Sequence, residues 1–150
     1  MSHLSLNTPL GFLSLFEDDD CLVAVEFGRA PDGNATPLLE EARAQIEAYF
    51  DGDTVPFDLP MRPEGTPFQK RVWQRMRTIP YGATIRYGDI AKELATASRA
   101  VGTACGRNPL PIVIPCHRVV GSAGALGGYS GGDGVATKIA LLRLEGALAL

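Results

Sequence analysis

The chain has 150 residues, of which 45% are apolar and 21% charged, and its formal net charge is −3 at pH 7, a composition typical of one globular domain or two small ones. No apolar run is long enough to span a bilayer and the N-terminus lacks a secretion signal, which excludes a membrane-spanning protein and leads us to expect a cytoplasmic one. The three cysteines are an odd number, which argues against a disulfide framework and predicts reduced thiols.

The first sixty residues predict a small unit of strands and a helix. Residues 11–16 and 21–27 are apolar-rich runs separated by four acidic residues, a pattern typical of two strands joined in a hairpin. From Pro37 onwards, apolar residues recur at helical spacing as far as Phe50, and Gly52 follows as a stop signal. We therefore expect a β-β-α arrangement in this part of the chain.

A domain boundary is predicted where residues 58–65 place two prolines and a glycine, which interrupt regular structure. The charge reverses there: residues 1–60 contain two basic and twelve acidic side chains, a net charge of −10, and residues 61–150 contain twelve basic and five acidic ones, a net charge of +7. We divide the chain into domains of residues 1–61 and 62–150. Because phosphate binding needs clustered Lys and Arg, a nucleic-acid site is expected in the second domain, although a solvated basic face would carry the same charge.

Three helices are predicted in the first half of the second domain. Thr66-Pro-Phe-Gln69 is a capping box with proline at the first helical position, which marks the start of one helix. After a turn at residues 80–82, a second helix is indicated over residues 87–95, and Ser98 can cap a third that runs to about Arg107. The last two favour a helix-turn-helix, in which the third helix contacts DNA. Helix pairs of this shape are also common as simple packing units.

The remaining predicted elements surround a short motif that contains a cysteine. Residues 112–114 are a β-branched run, predicted as a buried strand that Pro115 ends. A glycine-rich loop is expected at residues 121–134, and a last helix from about Ala136 to near Glu145. The motif Pro-Cys-His-Arg lies between the strand and the loop.

Cys116 and His117 are a candidate nucleophile and its base. A free thiol with a pKa of about 8.5 is only slightly ionised at neutral pH, so a nucleophilic cysteine needs a base such as imidazole. Consecutive side chains in an extended segment point apart, and we therefore expect a bridging water between these two. Glu145 is a candidate for the carboxylate that holds the imidazole tautomer. Taken alone, a Cys-His pair is more often a packing feature than a catalytic one.

Short motifs run through most of the second domain. They are Gly65-Thr-Pro-Phe-Gln69, Val72-Trp73, Ile79-Pro-Tyr-Gly82, Tyr87-Gly-Asp-Ile-Ala91, Arg99-Ala-Val-Gly102, Asn108-Pro109, Ile114-Pro-Cys-His-Arg-Val119, Gly127-Gly-Tyr-Ser-Gly-Gly132 and the stretch from Lys138 to Glu145. Over residues 62–146 this series closely resembles the O6-alkylguanine-DNA alkyltransferases, and the first 60 residues are loosely similar to the variable N-terminal domain of that family. The resemblance implies an α/β, ribonuclease H-like N-terminal domain with a small sheet and a helix, followed by a mainly α, winged-helix-like C-terminal domain with a helix-turn-helix.

The resemblance also implies a role for each residue of the site. Cys116 is the alkyl acceptor, and His117, a water molecule and Glu145 form the relay that removes its proton. Asn108 stabilises the turn between the DNA-binding helix and the active-site strand. The hydroxyl of Tyr87 and a backbone N–H near Ser130 help the base to leave as a neutral species. The substrate-binding residues are Tyr87, Val119, Tyr129, Ser130 and Gly131.

Arg99 matches the residue that enters the duplex and fills the gap left by an extruded nucleotide. Stacking hides O6 of guanine, so the base must be flipped out at a cost of about a few kcal/mol, which an inserted side chain partly offsets. The further DNA-binding residues that the resemblance implies are Ala97, Ser98, Thr103, Arg107 and Arg118.

The implied reaction consumes the protein. Attack by sulfur on an alkyl carbon gives a thioether, which has no carbonyl for water to attack, so each molecule should react once. The expected partner is double-stranded DNA with O6-alkylguanine, with O4-alkylthymine as a second candidate substrate, and the protein is expected to act as a monomer. The damaged DNA is itself the donor, so no cofactor is expected. Some relatives carry zinc, but Cys21 and His3 are too few ligands, and no metal is expected here.

Two alternative functions remain open at this point. A lesion sensor would bind alkylguanine without transfer, although such relatives replace the acceptor cysteine that this chain retains; a cysteine hydrolase would need an acyl pocket, for which there is no recognisable motif. The chain also departs from the family pattern. The link at residues 94–99 is shorter than usual, the loop at residues 132–138 is longer, and Arg86 stands where a small hydroxyl residue is more usual.

Overall fold

The computed structural model describes residues 1–31, 33–127, 129 and 131–148. Its N-terminal part is an antiparallel sheet of three strands in chain order, β1 (Ser2–Thr8), β2 (Gly11–Asp18) and β3 (Cys21–Phe27). The predicted hairpin of β2 and β3 is confirmed. Strand β1, in which polar residues alternate with the buried Leu4 and Leu6, was not predicted.

One helix, α1 (Pro37–Phe50), packs on this sheet and confirms the predicted one. The side chain of Thr36 caps its start by accepting a hydrogen bond from Leu39 N, and proline occupies the first turn. The helix directs an apolar stripe onto the sheet, made up of Leu39, Ala42, Ile46 and Tyr49. With 14 residues, it is the longest helix described, and about 20 residues are needed to span a bilayer.

The segment after α1 runs back beside β3. Leu22 N donates to Pro60 O at 2.8 Å and Arg62 N donates to Leu22 O at 2.9 Å, so Met61 forms a parallel bridge with Leu22. Arg62 also forms an ion pair with Asp18 of β2 at 3.0 Å. The chain therefore stays attached to the N-terminal sheet until just before the helices of the second part begin.

The second part is mainly helical, with α2 (Pro67–Met76), α3 (Tyr87–Glu93), α4 (Ser98–Gly106) and α5 (Val135–Leu144). The predicted capping box of α2 is confirmed, since Thr66 and Gln69 each accept a hydrogen bond from the other's backbone N–H. Trp73 of α2, 1% exposed, donates its indole N–H to Ala104 O of α4 at 2.8 Å. This bond joins α2 to α4.

The helix-turn-helix is formed by α3 and α4, but the predicted cap of α4 is wrong. The N-cap is Ala97, whose backbone is extended, and Ser98 is already the first helical residue, with no side-chain cap. The Ser98 hydroxyl instead lies against α3, where a Cβ at Gly88 would be 3.5 Å from it. α4 therefore begins without a side-chain cap, and its first residue, Ser98, packs against α3.

The predicted strand at residues 112–114 is also wrong. All three residues are buried, but Ile112 has a φ of 74° and the segment is a turn in which Ile114 N donates to Leu110 O at 2.8 Å. Two strands of two residues were missed instead, β4 (Ile85–Arg86) and β5 (Val119–Val120), which pair in parallel. The β-branched run thus reflects burial rather than strand pairing.

The C-terminal region follows the predicted order. The glycine-rich segment after β5 contains one turn of 3₁₀ helix, Ser122–Gly124, and α5 begins one residue before the predicted start. The structure confirms the expected class, an N-terminal sheet with a helix followed by a mainly helical part with a helix-turn-helix.

Candidate active site

A cavity of about 380 Å³ lies between the N-terminal sheet and the helical part. Residues 24–27 of β3 form one wall, and the opposite side includes Cys105, Asn108 and Cys116. Cys116 is only 8% exposed, so its sulfur is reached from this cavity rather than from the open surface. The arrangement can hold a small, largely desolvated group next to a thiol.

Cys116 begins a single turn of 3₁₀ helix, Cys116–Arg118, and not an extended segment. The preceding turn is fixed by Asn108, whose amide donates to Ile114 O at 2.8 Å while its carbonyl accepts from Leu110 N at 2.9 Å. Burial raises the pKa of the Cys116 thiol, and a hydrogen bond from Asn108 and the charge of Lys138 oppose that shift only in part. The resting sulfur is therefore a thiol that needs a base to become a nucleophile.

His117 is completely buried and its Nε2 lies 2.7 Å from Glu145 Oε2. Burial lowers the pKa of His117, so the imidazole is neutral at pH 7. Burial alone would raise the pKa of Glu145, but hydrogen bonds from His117 and Arg118 outweigh it and bring the pKa to about 2. An ionised carboxylate can only accept, so the imidazole proton lies on Nε2 and Nδ1 is a free base.

Nδ1 of His117 has no hydrogen-bond partner among the described residues. The local backbone is helical rather than extended, and the bridging water stays a prediction. A buried ring nitrogen with a free lone pair, in the residue that follows the buried thiol, is of the type that removes a proton as a general base.

The Glu145 carboxylate is held from several parts of the chain. Arg118 donates to both of its oxygens, at 2.8 and 3.0 Å, and the same guanidinium donates to Ile79 O at 2.7 Å. Gly82 N donates to Oε1 at 3.3 Å, and the Tyr49 hydroxyl of α1 donates to Oε2 at 2.6 Å. The carboxylate is therefore fixed in position by both parts of the molecule.

A second buried cation, Lys138 of α5, lies beside the predicted substrate residues. Lys138 is 1% exposed, and its ammonium group donates to Val119 O at 2.7 Å, to Gly127 O at 3.0 Å and to the Tyr87 hydroxyl at 3.3 Å. The side chain of Val119 is fully buried, and its backbone carbonyl accepts the hydrogen bond from Lys138. No role was predicted for Lys138, although it is the first residue of the motif that ends at Glu145.

The predicted substrate residues on the loop fall at the edge of the cavity. Tyr129 and Gly131 both line it. Tyr129 is 8% exposed, and its ring lies edge-on to Phe27 of β3 with centroids 6.4 Å apart. Ser130 lies outside the described residues.

The predicted DNA-binding residues in and next to α4 are all exposed: Ala97, Ser98, Arg99, Thr103 and Arg107. Neither arginine forms an ion pair with any residue in the described ranges. The C-terminal end of the same helix contributes Cys105 to the cavity wall. An exposed basic helix face and the buried thiol are thus connected through one short helix.

Comparison with known proteins decides the family. Residues 67–147 match the DNA-binding domain of 6-O-methylguanine DNA methyltransferase, and residues 1–63 match the ribonuclease-like domain of the same family. The chain belongs to the 6-O-methylguanine DNA methyltransferase family. A methylated-DNA–protein-cysteine methyltransferase of Methanosarcina acetivorans is 42% identical, over 97% of this chain and 99% of that protein. The constitutive enzyme of that name from Bacillus subtilis is 40% identical, over 95% and 94%.

A solved structure of a family member has the same fold. The Mycobacterium tuberculosis OGT in complex with DNA superposes with a TM-score of 0.88 at 40% sequence identity, and the match covers 98% of this chain and 94% of that one. Residues 67–147, which match the family's DNA-binding domain, contain Cys116, His117 and Glu145.

One predicted residue is not where the resemblance to this methyltransferase family placed it. Arg118 was expected on the DNA-binding surface, but it is 9% exposed and its guanidinium is occupied by Glu145 and Ile79 O. Burying a guanidinium is costly unless it is paired, and the Glu145 carboxylate supplies the counter-charge. Arg118 therefore belongs to the buried ionic network of the site.

The lowered pKa values of His117 and Glu145 predict that the free energy of unfolding depends on pH. The pKa of His117 is lowered from 6.5 and that of Glu145 is lowered from 4.5 to about 2, so the unfolded chain binds more protons than the folded one in acid. The free energy of unfolding should therefore fall as the pH drops below about 6.5, and fall again between about 4.5 and 2. Urea unfolding at several pH values measures this, and stability that rises on acidification would contradict the assignment.

Proposed function

We propose that this protein repairs DNA by transferring an alkyl group from O6 of guanine to Sγ of Cys116. The observation that carries the proposal is the buried thiol at the wall of a cavity, next to an imidazole whose Nδ1 is an unpaired base. Family membership supports it as well, because relatives named methylated-DNA–protein-cysteine methyltransferase match nearly the whole chain.

The reaction begins with removal of the thiol proton. His117 Nδ1 accepts it through a bridging water, and Glu145 stabilises the resulting imidazolium through the 2.7 Å contact at Nε2. The sulfur then attacks the alkyl carbon, so that an S–C bond forms while the C–O6 bond breaks. The departing guanine takes a proton from the Tyr87 hydroxyl, which lies 3.3 Å from the Lys138 ammonium. Solvent then takes the proton from the His117 imidazolium and reprotonates Tyr87, so that overall one proton passes from sulfur to guanine.

The product explains why one molecule repairs one lesion. A thioether lacks the carbonyl group through which water releases a thioester, so Cys116 stays alkylated. The donor is the lesion itself, and the roles described require only side chains of this chain and one bridging water. In this proposal the protein acts as a monomer in the cytoplasm, which suits three cysteines that are all unpaired. We also keep the domain boundary between residues 61 and 62 as a proposal.

DNA is the partner that the exposed face of α4 would contact. Ala97, Ser98 and Thr103 allow the helix backbone to approach the duplex, and Arg107 would contact phosphate. Arg99 would enter the stack in place of the flipped nucleotide, whose base would occupy the cavity at Cys116. Tyr129 and Gly131 would then lie beside that base, and Ser130 stays a predicted substrate-binding residue.

Arg99→Ala should slow repair of duplex DNA about 10- to 100-fold, because the cost of base flipping is no longer offset. Transfer from the same lesion in single-stranded DNA should be nearly unchanged, since no stack must be opened. Single-turnover rates on both substrates measure the effect. Arg71→Ala, which removes an exposed arginine from α2, is the matched control. An equal fall on both substrates would show that Arg99 does not act through the duplex.

The proposed function is tested by mass. The protein is mixed with a duplex containing O6-methylguanine, and the intact protein and its peptides are analysed. We expect one added methyl group on the Cys116 peptide, with repaired guanine that never exceeds one per protein molecule. Binding without a mass change would support a lesion sensor instead. Repeated turnover of an acyl substrate would support a cysteine hydrolase.

A further inference from the structure

One wall of the cavity comes from the N-terminal sheet, although Cys116 and its relay partner lie in the second part of the chain. Residues 24–27 of β3 line the cavity opposite Cys116 and Asn108. The strand is fixed there by a backbone hydrogen bond from Val25 N to Pro109 O at 2.9 Å. The N-terminal sheet is therefore a part of the pocket itself.

Phe27, the last residue of β3, makes the closest contacts to the loop on the far side of the cavity. Its ring lies edge-on to Tyr129, at an interplanar angle of 80°. A Cβ at Gly131 would come within 2.5 Å of this ring, and one at Gly132 within 3.1 Å. Glycine at both positions lets the loop backbone lie directly against the phenyl ring.

The partly buried ring therefore packs against the loop and cannot move towards it without displacing Tyr129 or the backbone at Gly131. Tightly packed side chains do not yield to added volume without strain. A methyl group attached to O6 needs little room beyond the guanine, whereas a benzyl group needs an additional ring-sized space next to the sulfur. Phe27 lines the same cavity as Cys116, so its ring takes up part of the space that a larger alkyl group would need.

We propose that Phe27 sets the upper size limit of the alkyl group that the pocket accepts. The inference rests on the proposed transfer to Cys116 and extends it from reaction type to substrate range. A single methylene in an apolar pocket changes specificity about 10- to 200-fold. The removal of a whole phenyl ring should therefore shift the preference between a methyl and a benzyl substrate by at least about tenfold.

The test compares single-turnover rates for O6-methylguanine and O6-benzylguanine in one oligonucleotide sequence. The benzyl-to-methyl rate ratio should rise at least about tenfold in Phe27→Ala and by a smaller factor in Phe27→Leu. Phe12→Ala, which removes a 40%-exposed ring from the neighbouring strand β2, should leave the ratio unchanged. Phe27→Leu keeps an apolar side chain and decides the question if the alanine variant does not fold.

The outcomes separate this inference from the proposed function. A ratio that stays constant or falls in the folded Phe27 variants, while methyl transfer to Cys116 continues, overturns the inference alone. A wild-type protein that transfers no alkyl group to Cys116 from either substrate contradicts the proposed function and this inference together.

Discussion

Cys116→Ser should abolish alkyl transfer and leave binding to lesion-containing DNA intact. The hydroxyl of serine is far less acidic than a thiol, and the neutral His117 imidazole is too weak a base to ionise it. Loss of the nucleophile should lower the transfer rate by at least about 10⁴-fold. Serine has nearly the shape of cysteine, so the wall of the cavity at this 8%-exposed position is retained.

Two measurements check this result. The mass of the Cys116→Ser variant should be unchanged after incubation with methylated duplex, and its Kd for the same DNA should match that of the wild type. Cys105→Ser is the matched control, because Cys105 lines the same cavity and its thiol donates to Met76 Sδ rather than to His117 or Glu145. If Cys116→Ser still repaired DNA, then Cys105 or Cys21 would have to be the acceptor.

Glu145→Gln should reduce both transfer and stability. A neutral amide no longer stabilises the imidazolium that forms when His117 takes the thiol proton, which should slow transfer about 10²- to 10⁴-fold. The substitution also leaves the buried Arg118 guanidinium without its counter-charge, which should lower the free energy of unfolding by about 3–5 kcal/mol. Few other single substitutions in this chain should affect both properties.

The two effects can be measured separately. Urea unfolding gives the loss of stability, and single-turnover transfer is measured at a temperature where circular dichroism shows the variant to be folded. The control is Glu93→Gln, which breaks the exposed ion pair between Arg75 and Glu93 and should cost no more than about 1 kcal/mol. A folded Glu145→Gln variant that reacts at the wild-type rate would remove Glu145 from the relay.

Elements with strong local signals were predicted correctly from the sequence. The capping box at Thr66 and the apolar repeat after Pro37 located α2 and α1 because each signal is contained within the element it defines. The strands β4 and β5 were missed because they have two residues each and depend on pairing between distant segments. The strand predicted at residues 112–114 was wrong because β-branched residues suit any buried position, including a buried turn.

The site shows the same division between local and distant information. Cys116 and His117 were identified because a short motif contains both, and the pairing of His117 with Glu145 was expected from the resemblance. The role of Arg118 could not be read from its charge, because its partner lies 27 residues further along the chain. The contact from Tyr49 spans 96 residues, and no local pattern predicts it.

The hydrogen bond from Tyr49 to Glu145 constrains how the two parts of the molecule can evolve. A hydroxyl from the first fold unit completes the electrostatic surroundings of a carboxylate in the second, so the two units are not interchangeable modules. Exchanging the first unit for that of another lineage would preserve the nucleophile and every loop around it. The transplanted unit would still have to place a hydrogen-bond donor where Tyr49 places its hydroxyl. Substitutions in the first unit are therefore constrained by the Glu145 carboxylate of the second.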